Sequence, residues 1–388
     1  MTPPPVASSR RGRRRAAWLI GAVVLVVVAV AAAAVALEIQ RRGALERIAE
    51  ASSTLERVAD LREDALDRYA AADAAAEEST ETATAVLAHL RSLVPDEDLP
   101  ALESAERLPE ARVAERILDT LRAAERAEPP ASETDFSALR EAADAIEAEA
   151  ADAEASLAAV DASSGELEES AEAIDAAVSS VSDRLPEEAD RVEAENISAE
   201  APARIALQKA ARAAEADPGA AEIRAYVRSA SAVRESQEAE MAEKDRGGLL
   251  DARLEVEEFA RSIVGDVRID FDWAPIVNGL GEGESAGGYT TWWYADGGYA
   301  TIELSDSVAA FWPDERFRGL VAHETGHAAT ARCREVLEAE PFSGDVELLA
   351  TAWAIGKGFD DPWGNGVDYY YGGVPPEQAV VEAALACG

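Results

Sequence analysis

From Ala16 to Leu37 the chain carries no charged residue, in a run of 22 dominated by valine, alanine, leucine and isoleucine. As a helix such a run spans roughly 33 Å, enough to cross the hydrocarbon core of a bilayer. Arg10, Arg11, Arg13, Arg14 and Arg15 precede it. Cationic flanks stay on the cytoplasmic side, so the rest of the chain is expected outside. Arg41 and Arg42 on the far side weaken that asymmetry without reversing it. Ala-x-Ala sequences near Ala32–Ala36 also suit a cleaved export signal, but the apolar core of a signal usually has about 7–15 residues. The expectation is a basic cytoplasmic tail at 1–15 and an uncleaved single-pass anchor at 16–38.

The remainder is strongly acidic. The chain holds 76 acidic against 36 basic residues, and residues 1–43 contain seven of the arginines with a single glutamate. A body so negative is repelled by nucleic acid and by anionic lipid, which excludes a nucleic-acid role. Residues 39–246 are mostly Ala, Glu, Asp and Arg and read as an acidic helical stalk or bundle. Leu45, Ile48, Leu55, Leu66 and Tyr69 recur at three- and four-residue spacing, as a coiled-coil seam requires, with Ser52, Ala59, Arg62 and Asp73 at the intervening seam sites. Prolines such as Pro95, Pro100, Pro129, Pro130, Pro186 and Pro218 divide the region into helices near 44–94, 134–185 and 220–246. Two long helices joined through a broken middle suggest an antiparallel hairpin or bundle. Nothing chemical recurs along it, so it reads as a spacer, with self-association left open. His89, beside Leu87 and Leu90, reads as a packing or surface residue.

Gly247-Gly248 interrupts the helical pattern, and a compact domain is expected over 249–388, where six of the seven tryptophans lie. Leu249–Val264 reads as a helix. Val267, Ile269, Phe271 and Trp273 alternate with polar residues, as in a half-buried strand. Thr290–Tyr294 and Tyr299–Ser305 read as a hairpin around Ala295-Asp296-Gly297-Gly298. Pro313-Asp314 opens the next helix. The class is therefore α+β: one transmembrane helix, a long helical region, then a small mixed domain.

That last helix carries His323-Glu324-Thr325-Gly326-His327, and the chain has only three histidines. Residues four apart share a helix face, so two imidazoles can grip one metal ion while the glutamate between them reaches a water beside it. A catalytic zinc takes three protein ligands and keeps one position open. Glu347 is the expected third, in the first turn of a helix capped by Ser343 or Asp345, with Leu348, Ala352 and Ile355 behind it. Asp345 is the alternative ligand; Asp360, Asp361 and Asp368 lie in a Gly/Pro/Tyr loop. Cys333 and Cys387 both fall in this domain, and in an exported chain a disulfide is the natural reading against two inert thiols.

Over about residues 265–357 the strand–loop–helix order resembles the zincin metallopeptidases, in particular the gluzincins, whose third ligand is a glutamate on a second helix. The resemblance rests on His323, Glu324, His327 and Glu347. It extends to the layout of predicted exported metallopeptidases of high-GC bacteria. It implies a sheet-edge strand, matched by Tyr299–Ser305, that binds substrate backbone. Many members carry an acidic residue four places after the third ligand to orient the first histidine; here that place is Thr351, a departure. The implied reaction is peptide hydrolysis: zinc polarises the carbonyl and acidifies water, Glu324 takes the proton as general base, and a tyrosine among Tyr369, Tyr370 and Tyr371 steadies the oxyanion. Trp292, Trp293 and Trp363 read as packing residues. The competing expectation is a non-catalytic envelope protein, with a helical spacer and a domain that only binds metal or peptide.

Overall fold

The structure, a computed structural model, describes residues 10–125, 135–283 and 285–387. Residues 1–9 of the expected basic tail, Pro129 and Pro130 of the helical region, and Glu284 in the loop before the hairpin lie outside the described residues. Close contacts divide the chain into two units, 1–81 with 103–175, and 82–102 with 176–388.

The first unit is built on helix α1 (Arg10–His89). Every described residue from 22 to 40 is exposed, including Val23, Leu25, Val30 and Ile39. This is one helix, near the N-terminus, long and apolar enough to cross a membrane. A contiguous apolar surface of that size in water would be unfavourable, which suggests a membrane anchor. Beyond it the buried stripe runs Ala44, Ile48, Ala51, Leu55, Val58, Ala65, Tyr69, Ala72 and Ala76, in alternating steps of three and four residues save one of seven across the half-buried Arg62. Ile48, Leu55 and Tyr69 of the expected seam are buried in it, whereas Leu45 is exposed and Leu66 only half-buried, with Ala44 and Ala65 buried beside them instead. Small side chains let neighbouring helices approach closely, so alanines fill the places between the larger seam residues.

Three short helices follow, α2 (Leu99–Ser104), α3 (Leu108–Ala111) and α4 (Glu115–Ala123), and then α5 (Phe136–Ser182). The expected antiparallel pairing of the two long helices is not what forms. Arg47 bonds Asp144 at 2.7 Å, Arg57 bonds Glu154 at 3.2 Å, Arg68 bonds Asp161 at 2.6 Å and Ser79 bonds Asp175 at 2.7 Å. Partner numbers rise together, so α1 and α5 run parallel. Residues 112–124 return along α1: Arg112 pairs with Asp73, and Arg62 reaches the Ala124 carbonyl at 2.6 Å. The middle segment is thus itself a return strand of the bundle, which frees the long helices to point the same way. Exposed pairs of this kind set register more than stability.

The second unit starts well before residue 249. Helices α6 (Leu185–Glu195), α7 (Ala201–Ala216) and α8 (Ala220–Lys244) belong to it, so the expected boundary at 246–249 is displaced. Charged residues tie them to the helix α9 (Leu250–Val264) and the strand β1 (Arg268–Ala274). The Ala201 amide donates to Asp270 at 2.6 Å, Arg268 bonds Glu193 at 2.7 Å, and buried Glu257 accepts from Trp273 Nε1 at 3.2 Å while ion-pairing with Lys244. Buried charges demand partners, and α6–α8 supply them.

β1 pairs in parallel with β3 (Tyr299–Ser305), and β2 (Gly288–Trp293) pairs antiparallel to β3, giving the order β1-β3-β2. The hairpin forms as expected, but Tyr299–Ser305 is the central strand and not an edge. The edge is β2. After α10 (Asp306–Ala310) comes α11 (Glu315–Ala329), capped by the Asp314 side chain, which accepts from the Arg316 amide. Such a cap contributes about 1 kcal/mol. Ile269, Phe271, Ile302, Leu304 and Val321 close the core between sheet and helix. The chain ends in α12 (Arg334–Glu338), α13 (Val346–Gly356), α14 (Val367–Tyr371) and α15 (Gln378–Ala384), and Cys333 is disulfide-bonded to Cys387. Trp353, fully buried, donates to the Cys387 carbonyl at 2.7 Å.

Candidate metal site

His323 and His327 project from the buried face of α11, 2% and 6% exposed. Gly326, between them, lies where a Cβ would sit 3.0 Å from the Ala350 backbone and 3.3 Å from Trp353. Its missing side chain lets α13 pack directly on α11. That approach delivers Glu347, whose Oε2 lies 3.2 Å from Nε2 of both histidines.

His323, His327 and Glu347 are the one group among the described residues that could hold a metal ion, with one donor atom from each lying within 4.8 Å of the others. Tetrahedral donors around zinc sit roughly 3.3–3.5 Å apart, given bond lengths of about 2.0–2.2 Å. The two Glu347 distances meet that spacing. Burial raises the Glu347 carboxyl, but hydrogen bonding to His323 and His327 and their charge outweigh it and hold it below the usual carboxylate range. An ionised carboxylate facing two imidazoles is the right donor set for a divalent cation.

Nδ1 of His323 lies 3.1 Å from the Asn365 carbonyl and 3.3 Å from the Thr351 hydroxyl. Donation from Nδ1–H to that carbonyl leaves the Nε2 lone pair free for a metal. A backbone carbonyl with a threonine beside it therefore does the orienting that an acidic residue at 351 would do. Tyr370 stacks on the same ring at 5.6 Å between centroids, and Trp292 stacks on His327 at 5.8 Å. Nδ1 of His327 is buried without a hydrogen-bond partner.

Glu324 reaches the edge strand β2. Its Oε2 accepts from the Thr290 hydroxyl at 2.7 Å. Two residues along the same strand face, a Cβ on Gly288 would meet Glu324 Oε1 at 2.5 Å. Thr290 and the bare backbone of Gly288 together fix the carboxylate beside the histidines. A cavity of about 260 Å³ opens there, lined in part by His323, Glu324 and Tyr370.

The other expected residues fall into place or drop out. Asp345 is exposed and caps α13, accepting from the Leu348 amide at 3.0 Å, so it is no ligand. Asp361 accepts from the Trp363 and Gly364 amides. Asp360 and Asp368 are not in the metal group. Tyr369 is 75% exposed. Burial, then the Glu347 and Glu324 charges, push the Tyr370 hydroxyl well above its ordinary value. Burial and the charges of Asp345 and Glu347 push Tyr371 up to about 12. Both stay protonated at neutral pH. Thr290, Gly288 and Asn365 are contributions that sequence patterning does not reveal. The only hint was local: Asn365-Gly366 sits in a tight loop, and Gly366 has φ +89°. No family model, curated protein or solved structure matches the chain.

Proposed function

We propose that the protein is a membrane-anchored zinc peptidase whose catalytic unit lies outside the cytoplasmic membrane. The observation that carries this reading is the convergence of Glu347 on both histidines with Glu324 held beside them. His323, His327 and Glu347 would hold the ion, leaving a fourth position open toward the cavity. Zinc bound there supplies Lewis acidity, polarising a carbonyl and making nearby water acidic near neutral pH.

Glu324 acts as general base: fixed by Thr290, it removes the proton from the attacking water and delivers it to the leaving amine. Tyr370 remains a donor at neutral pH and lies over His323, where it can hydrogen-bond a developing oxyanion. β2, the edge strand beside the site, offers unpaired backbone groups to an extended peptide. The disulfide is in keeping with an oxidising compartment.

The test uses the full chain in detergent, loaded with zinc, against a broad peptide library. Wild type should cleave and Glu324→Gln should bind zinc equally but leave the library intact. Identical treatment of the library by both proteins would reduce the protein to a metal- or peptide-binding envelope component. For topology, protease added to intact cells should cut the second unit; protection until lysis contradicts an exported domain.

A further inference from the structure

We propose that the cavity beside Glu324 selects substrates carrying a carboxylate, held by Arg316, roughly two to three residues from the cleaved bond. This rests on the peptidase reading only for the identity of the ligand as a peptide.

Arg316 and His323 are seven residues apart on the exposed-to-cavity side of α11, and both line the cavity. Seven residues of helix rise roughly 10.5 Å, the length of about three extended peptide residues. Between them the walls are apolar, with Leu280, Ala286, Leu320 and Trp363 contributing. Among the described residues of the lining, Glu324 is the only acidic one and Arg316 the only arginine or lysine. The Arg316 guanidinium lies over the Trp363 ring at 4.9 Å and, among the described residues, has no carboxylate partner.

Among the arginines of this unit that are buried or half-buried, that is the exception. Arg253, Arg261 and Arg268 each contact a carboxylate at 2.6–3.1 Å, and Arg204 contacts Asp270 at 3.4 Å. In a chain with 76 acidic residues, a half-buried arginine facing an apolar cavity is a cation kept free for an anion from elsewhere. Its fork geometry suits a carboxylate in two parallel hydrogen bonds, and stacking on Trp363 pre-orients it. Trp363 itself is anchored: the Asp361 carboxylate accepts from its amide at 3.1 Å and from the Gly364 amide at 2.8 Å. A cavity of about 260 Å³ is smaller than the roughly 300–1,000 Å³ of sites for drug-sized ligands, so the two to three residues it takes carry small side chains. The carboxylate is either the peptide's own C-terminus or an acidic side chain; both present the same oxygens.

The test measures calorimetric binding to the metal-free full chain in detergent at pH 7. The probes are an N-acetylated tetrapeptide of leucine, glycine and alanine with a free C-terminus, its C-terminal amide, and that amide ending in glutamate. One or both acidic forms should bind at least about tenfold more tightly than the neutral amide. Tight binding of the free acid alone assigns the C-terminus; tight binding of the glutamate form assigns a side chain. Arg316→Gln should bring the acidic forms down to the amide, while Arg318→Gln, the same charge change two residues along, should keep the preference. Equal affinity for all three probes, or a preference that survives Arg316→Gln in a protein with an unchanged melting temperature, overturns the proposal. Binding requires no hydrolysis, so its failure leaves the peptidase reading standing, and an inactive enzyme that still prefers acids loses only that reading.

Discussion

The Thr290 hydroxyl lies 2.7 Å from Oε2 of Glu324, so a residue of the sheet edge holds the carboxylate of the helix packed beneath it. A general base works only when aimed, and a small misplacement costs heavily in rate. Thr290→Val keeps the shape and removes the donor. It should lower kcat roughly tenfold or more, with zinc stoichiometry unchanged. Gly288→Ala should do more, because its Cβ would occupy the position of the carboxylate. Activity of Thr290→Val equal to wild type would show that Glu324 needs no such support.

Under the proposed function Glu347 is a ligand and Thr351 a support, and substitutions separate the two roles. Glu347→Ala removes a donor lying 3.2 Å from both imidazoles, and zinc affinity should fall by more than the roughly 10–100-fold seen when a supporting residue is lost. Thr351→Val should cost less than about tenfold, because the Asn365 carbonyl still holds Nδ1 of His323 at 3.1 Å. Competition against a fluorescent zinc chelator reads both. The reverse order would place the third ligand elsewhere.

Cys333 and Cys387 are 54 residues apart in sequence. Closing a loop of that length restricts the unfolded chain by about 4 kcal/mol in the chain-entropy account. Reducing the bond, or changing both cysteines to serine, should lower the melting temperature of the second unit by several degrees. The bond also brings Cys387 to Trp353, so tryptophan fluorescence should change with reduction. A melting curve indifferent to reductant would mean that α15 is held by packing alone.

Burial raises Asp270 to about 6 from an ordinary 3.8, against the opposing charge of Arg204. A carboxyl raised in this way binds its proton more tightly folded than unfolded. Its contribution to stability is therefore most favourable below about pH 4, declines as pH rises to about 6, and is level above that. Compared with Asp270→Asn, wild type should lose relative stability between about pH 4 and pH 6.5. Paired thermal melts across that range check the sign, and a relative gain with rising pH would contradict it.

Local chemistry was legible wherever it is written in spacing. The apolar run is a single long exposed helix, the alternation at 267–273 is a strand, and the four-residue interval between His323 and His327 puts both on one buried face. Glu347 was readable as well, since its place in a capped first turn limits where it can point. The Cys333–Cys387 bond was readable because two cysteines allow a single pairing.

What the chain order does not encode is which distant surfaces meet. The parallel course of α1 and α5 depends on a middle segment that doubles back, and no periodicity in either helix reports that direction. Ala44 and Ala65 compete with Leu45 and Leu66 for the same seam, and only close packing between helices chooses the alanines. β3 lies in the centre because β1 joins it in parallel, a pairing across some 25 residues that leaves β2 at the edge. Thr290, Gly288 and Asn365 reach the site for the same reason: each contributes one hydroxyl, one absent side chain or one carbonyl across tertiary contacts. Period and composition thus determined the elements and the helix that carries both histidines. The support around Glu324 and His323 was decided by packing, because hydrogen bonds between distant segments leave no repeat in the sequence.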